Sequence, residues 1–187
     1  MPPIVRLRHR VLILVALASA ITYLDRVCLS AAAPAIMHDL GLSNIQMGYA
    51  FSVFPLAYGI FEMPMGWLGD RLGQRKMITR IVASWSGFTA LTGMVMGYPG
   101  LLAVRFAFGA AEAGAFPSLA RALARWFRPT DRAKATGIMW MATRLGAAIG
   151  IPLAAVLIGW LGWRFTFVIF GALGGCWCLF FLALVSG

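Results

Sequence analysis

Charge is scarce in this 187-residue chain. Asp, Glu, Lys and Arg together make up 12% of it, and only six residues are acidic. That is about half the charged share of a soluble domain. With 61% apolar residues and a mean hydropathy of +0.83, a water-soluble fold of this size could not hide its apolar surface, so lipid must be the solvent for much of the chain. A soluble enzyme and a nucleic-acid-binding domain are thereby excluded. Cysteine and histidine are equally sparse. Cys28, Cys176 and Cys178 lie inside apolar stretches with no disulfide or zinc spacing. Residues i and i+2 point to different helix faces, so Cys176 and Cys178 read as packing or lipid-facing residues. His9 and His38 sit at the ends of apolar runs, away from any Ser or Cys arrangement. No nucleophile–base pair, metal cluster or cofactor motif is legible, and the chain does not read as an enzyme.

Long apolar runs are what the chain has. A membrane-spanning helix takes about 20 residues, and six runs qualify: 11–33, 46–67, 77–97, 101–123, 135–158 and 165–185. Pro34, Pro99, Pro129 and glycines in 66–73, 97–100 and 159–162 punctuate them. Basic residues fall on one side of these spans. Arg6, Arg8 and Arg10 precede the first. Arg71, Arg75, Lys76 and Arg80 follow the second, and Arg121, Arg125, Arg128, Arg132 and Lys134 follow the fourth. Only Arg164 marks the other side, so the positive-inside rule puts both termini in the cytoplasm. Residues 6–20 have the outline of a signal peptide, but the apolar run continues to Ala33 and five more spans follow, which favours an uncleaved first span. The stretch 66–72 reads GWLGDRL and 159–165 reads GWLGWRF, five of seven positions identical at an offset of 93. One copy follows span 2 and the other span 5, the register of two inverted three-helix repeats.

Six ionisable residues remain inside the spans: Asp25, Arg26, Glu62, Arg105, Glu112 and Arg144. Each costs about 2.5–3.5 kcal/mol at a bilayer centre, so each needs a partner or a wet cavity. Spans 3 and 6 carry none and are expected to face lipid, while spans 1, 2, 4 and 5 should surround something polar. Asp25, Arg26, Arg105 and Glu112 occupy a band roughly 10 Å tall at 1.5 Å per residue, and Arg105 and Glu112 share a face of span 4. If spans 1 and 4 are neighbours, two guanidinium groups and two carboxylates converge. Arginine grips a carboxylate ligand through two parallel hydrogen bonds. A buried carboxyl suits a proton, because desolvation favours its neutral form and a nearby cation its charged form. Fixed ion pairs that merely hold helices together are the alternative, and for Arg105 snorkelling to the interface is another. Glu62, about one turn from the cytoplasmic end of span 2, reads as reaching water. Arg144 stays open between pairing and ligand contact. Ala142, Gly146 and Gly150 on span 5, and Gly171 and Gly175 on span 6, form small-xxx-small stripes for close helix approach.

Residues 66–76 read GWLGDRLGQRK. This resembles the loop between helices 2 and 3 of the major facilitator superfamily, G-x-x-x-D-R-x-G-x-R-K, met at Gly66, Asp70, Arg71, Gly73, Arg75 and Lys76. YLDR at 23–26, RFAFGAAEAGAFP at 105–117 and RWFRPTDRAKATG at 125–137 are similar to the anion:cation symporter family within it. The resemblance implies an all-α integral membrane fold: a six-helix bundle of two inverted repeats, one half of a twelve-helix transporter, over residues 1–187. It implies uptake of an organic anion, such as galactonate, glucarate or a hexuronate, with protons or sodium, across the plasma membrane (the inner membrane in a bacterium). By that resemblance Asp25 and Glu112 couple protons. Arg26, Arg105, Tyr23, Tyr58 and Thr143 contact substrate, and residues 66–76 form a conformational latch against a C-terminal six-helix half. Glu62 stands where Gln is usual, and Arg144 is not general in the family. The partners expected are the anion, the coupling ion, the second half and the lipid bilayer, with no nucleic acid and no cofactor. A non-transporting membrane sensor or regulator with structural ion pairs is the rival class.

Overall fold

The computed structural model describes residues 3–185; the side chain of Arg6 lies outside what it describes. Every described element is a helix: α1 (Pro3–Leu40), α2 (Asn44–Leu72), α3 (Gln74–Thr92), α4 (Tyr98–Glu112), α5 (Ala115–Trp126) and α6 (Pro129–Val185). Their ends are written in the sequence. At the end of α1, Gly41 takes φ 63° and the Leu42 amide reaches back 2.9 Å to the Met37 carbonyl. That closure needs a residue free of a Cβ. Ser43 and Gln46 then form a reciprocal capping box that starts α2, with bonds of 3.2 and 2.9 Å.

Two interruptions depart from the expected spans. The run 101–123 is not one helix. It breaks at Ala113 and Gly114 into α4 and α5, because Gly114 has φ 84° and Ala113 is extended. Conversely, the runs 135–158 and 165–185 are not separated by a loop. They abut at Gly162 (φ 78°, ψ 162°), the single non-helical residue inside α6.

Packing is dominated by α1 against α6, with α3 on α6 and α2 on α4. Glycine makes the closest approaches possible. Gly146 lies directly on the backbone of Ala20, and a Cβ on Gly150 would sit 2.8 Å from Val27 Cγ2. In the second half of α6, Gly171 abuts Ala90 and Gly174 abuts Ser86 and Trp85. Gly175, expected in that stripe, has no neighbour within 4 Å of a built Cβ. The helix is rotated so that its partner is Gly174. Cys178 is buried and Cys176 exposed, as residues two apart on a helix must be. Ion pairs close both ends of the bundle. Arg8 meets Asp131 at 2.9 Å and Arg121 meets Asp70 at one end; Arg164 meets Asp39 at 2.9 Å at the other.

Candidate functional site

The break after Glu112 decides the chemistry of the interior. Glu112 is the last residue of α4, fully buried, and its Oε1 accepts a 2.8 Å bond from Arg26 Nε on α1. The Arg26 side chain keeps 22% of its surface exposed. Its guanidinium lies 5.2, 5.0, 5.0 and 5.7 Å from the ring centres of Tyr23, Phe54, Tyr58 and Phe116. Such contacts hold a cation by about 0.5–2 kcal/mol each and fix the plane of its donor fork. Arg26 Nη2 and Glu112 Oε2 are both buried and unpartnered. One edge of the fork is therefore spent on Glu112 while another donor remains free.

The other two charges join the cluster without forming ion pairs. Arg105 is 3% exposed and lies 4.7 Å from the Phe108 ring and 5.2 Å from Phe54, its Nε unpartnered. That burial removes the snorkelling alternative. Asp25 is 1% exposed. Its Oδ2 is 3.5 Å from the Thr89 hydroxyl, its Oδ1 has no partner, and the charges close enough to act on it are Glu112 and Arg105. The four charges thus converge, as the depth argument expects, but as one tight pair and two singly buried groups. An ion pair left incomplete at such a site costs several kcal/mol per charge. That cost is what a mobile proton or an arriving anion could relieve.

The remaining residues singled out in the sequence fall on different sides. Tyr23 and Tyr58 are half-buried against Arg26, and Tyr23 meets Phe116 edge-on at 6.0 Å. Thr143 is fully buried, its hydroxyl donating 2.5 Å to the Trp140 carbonyl of its own helix, so it presents no free surface to a ligand. Glu62 and Arg144 are exposed. In the loop motif, Asp70 pairs with Arg121 of α5, which also donates 3.2 Å to the Gly66 carbonyl, and Arg71 lies 3.9 Å over the Trp67 ring. Asp70 is thus engaged within this chain. Gly73 holds φ 79° at the joint of α2 and α3, Gly69 is buried beside Arg121, and Arg75 and Lys76 are exposed.

Three participants escaped the sequence reading. Thr89, on the charge-free span 3, reaches Asp25. A signal existed in the spacing of Ser86, Thr89 and Thr92, all buried on α3. Phe54 and Phe116 bracket Arg26, but an aromatic in a membrane span carries no mark that separates a cation platform from a lipid-facing ring.

Residues 15–186 match the Major Facilitator Superfamily, and the chain belongs to that family. It is 36% identical over 177 residues to the probable sulfoacetate transporter SauU of Cupriavidus necator, which covers 95% of this chain and 41% of that protein. It is also 36% identical over 180 residues to the probable galactarate/D-glucarate transporter GarP of Escherichia coli, covering 91% and 40%. A crystal structure of a bacterial homolog of the human lysosomal transporter Spinster, inward-facing and occupied, superposes with a TM-score of 0.82 at 25% identity, over 94% of this chain and 44% of that one. The chain spans about two fifths of the length of the curated relatives it matches.

Proposed function

We propose that this chain is the N-terminal six-helix half of a multi-pass inner-membrane symporter. In this reading it carries an organic anion, a sugar acid or a similar carboxylate, together with protons by alternating access. The supporting observation is the arrangement at Arg26: a guanidinium aimed by four rings, half committed to the buried carboxyl of Glu112, with Nη2 free. A carboxylate ligand that reaches the exposed part of the Arg26 side chain competes with Glu112 for the same cation. When Glu112 loses that competition, its charge is best removed by a proton. Anion and proton then arrive and leave together. Asp25, buried beside Glu112 without a cation of its own, is the second proton site in this scheme. Arg105 holds the field positive at the outer side of the cluster, and Tyr23 and Tyr58 line the ligand's path.

Two three-helix repeats fit the paired ends of the bundle. Asp39 at the end of α1 binds Arg164 in the GWLGWRF copy, and Arg121 in α5 binds Asp70 in the GWLGDRL copy. Each copy is held by the helix end contributed by the other repeat. With both termini cytoplasmic, the second pair lies on the inner face, beside the loop that would meet a second six-helix half. No observation favours the sensor class. The test is uptake of a sugar acid by the full-length protein under an imposed proton gradient. Asp25→Asn and Glu112→Gln should each abolish gradient-driven accumulation. Normal accumulation by both variants would refute the assignment.

A further inference from the structure

Arg144 stands apart from the converged charges. Its side chain is exposed, and it has no ion pair or hydrogen bond among the described residues. Helix register places it. Arg8 meets Asp131, Gly146 rests on Ala20 and Gly150 rests on Leu24, so α1 and the first half of α6 run parallel in step. Arg144 is therefore level with about residue 18, eight residues from Arg26, or roughly 12 Å along the axis at 1.5 Å per residue. A row of ring contacts runs from Arg26 to Trp140. Trp140, one turn from Arg144 on the same side of α6, stacks on Phe116 with centroids 5.1 Å apart and planes 6° from parallel. Phe116 in turn touches Tyr23 and lies under Arg26. Arg26 stands at one end of this row, and Arg144 lies one helical turn beyond Trp140 at the other.

On α2, Glu62 is one turn beyond Tyr58 and exposed. It accepts hydroxyl donors and repels a second negative group, which leaves the α6 side for that group. Hydrocarbon tolerates an unpaired guanidinium only where a ligand, water or a partner compensates it.

The geometry points to an elongated dianion as the preferred ligand, one carboxylate on the Arg26 guanidinium and the second anionic group on Arg144. This inference rests on the transport reading above and adds the specificity. An extended six-carbon chain charged at both ends spans the gap once the two side chains lean toward it. A matched pair of probes is D-glucarate and D-gluconate, which differ only in a terminal carboxylate against a hydroxymethyl group.

The experiment measures initial uptake of both sugar acids by the full-length protein, with the amount in the membrane quantified. Arg144→Gln should raise the KM for glucarate about 10-fold or more, since a charge-assisted hydrogen bond is lost, and leave that for gluconate within about 2-fold. Arg144→Lys, which keeps the charge, should fall between wild type and Gln for glucarate alone. In wild type, glucarate should inhibit gluconate uptake better than gluconate inhibits glucarate uptake. Equal changes for both acids, which is what pairing of Arg144 with an acid in the second half would give, or no change for either, overturn the inference and leave the transport reading intact. Absence of uptake of both acids by wild type overturns the sugar-acid specificity on which the inference rests.

Discussion

Removing Arg26 alone should damage this protein more than removing Arg26 and the charge of Glu112 together. Glu112 has no exposed surface, and the bond it accepts comes from Arg26. Arg26→Ala leaves a carboxylate buried without its cation, a change that costs about 3–5 kcal/mol for a broken buried pair. It also strips four ring contacts from the site. At about 2–4 °C per kcal/mol for a chain of this size, Tm should fall by roughly 6–20 °C. Glu112→Gln has a smaller effect, because an amide still accepts from Arg26 and the remaining guanidinium keeps part of its exposure. The double variant Arg26→Met, Glu112→Gln replaces the pair with groups of similar volume, and such replacements are often neutral. Most of the lost Tm should return. The assay is thermal unfolding of purified protein followed by intrinsic fluorescence, with Arg26→Met and Glu112→Gln also measured singly so that they close a double-mutant cycle with the double variant. The reasoning fails if Arg26→Ala shifts Tm by less than about 2 °C, or if the double variant is as unstable as the sum of the singles.

Gly114→Ala tests the bend that ends α4 at Glu112. The residue has φ 84° and an added Cβ would lie 2.8 Å from Met65 Cβ. Strain of about 1–3 kcal/mol should lower Tm by several degrees and reduce anion uptake more than its membrane level; uptake at wild-type rates would show that the bend does not place the site. Gly146→Val tests the α1–α6 contact. Its side chain would meet the Ala20 backbone, and overpacking of about 1–3 kcal/mol or more should appear as a lower melting temperature, where Gly175→Val, with no near neighbour, should change little.

How much of this was legible beforehand depends on what each feature rests on. The membrane-embedded character follows from composition, because no other solvent accommodates so much apolar surface, and the helical form from apolar runs about 20 residues long. Counting residues along two spans gave Asp25, Arg26, Arg105 and Glu112 a common depth, and their convergence followed only on the condition that those spans are neighbours. Which charges pair did not follow, because pairing depends on side-chain rotamers. Arg26 crosses to Glu112 and leaves Asp25 and Arg105 single, where sequence neighbours had offered other combinations. The α4–α5 break was written in Ala113-Gly114-Ala115-Phe116-Pro117, but apolar periodicity runs straight through those residues and hid it. The resemblance names Thr143 as a substrate contact, and nothing in its sequence told that the side chain is buried with its hydroxyl donating to the Trp140 carbonyl. In the 66–76 segment, the charges alone gave no hint that Asp70 finds Arg121 inside the same chain.

The central claim is that an anion and a proton compete for one guanidinium–carboxyl pair and therefore move together. Its most direct test is the internal pH of vesicles containing the full-length protein, read with a trapped dye when a sugar acid is added outside at neutral pH without sodium. The account predicts acidification of the lumen in step with anion uptake, lost in Glu112→Gln. Anion accumulation with no change in internal pH, or uptake that appears only when sodium is supplied, would contradict it.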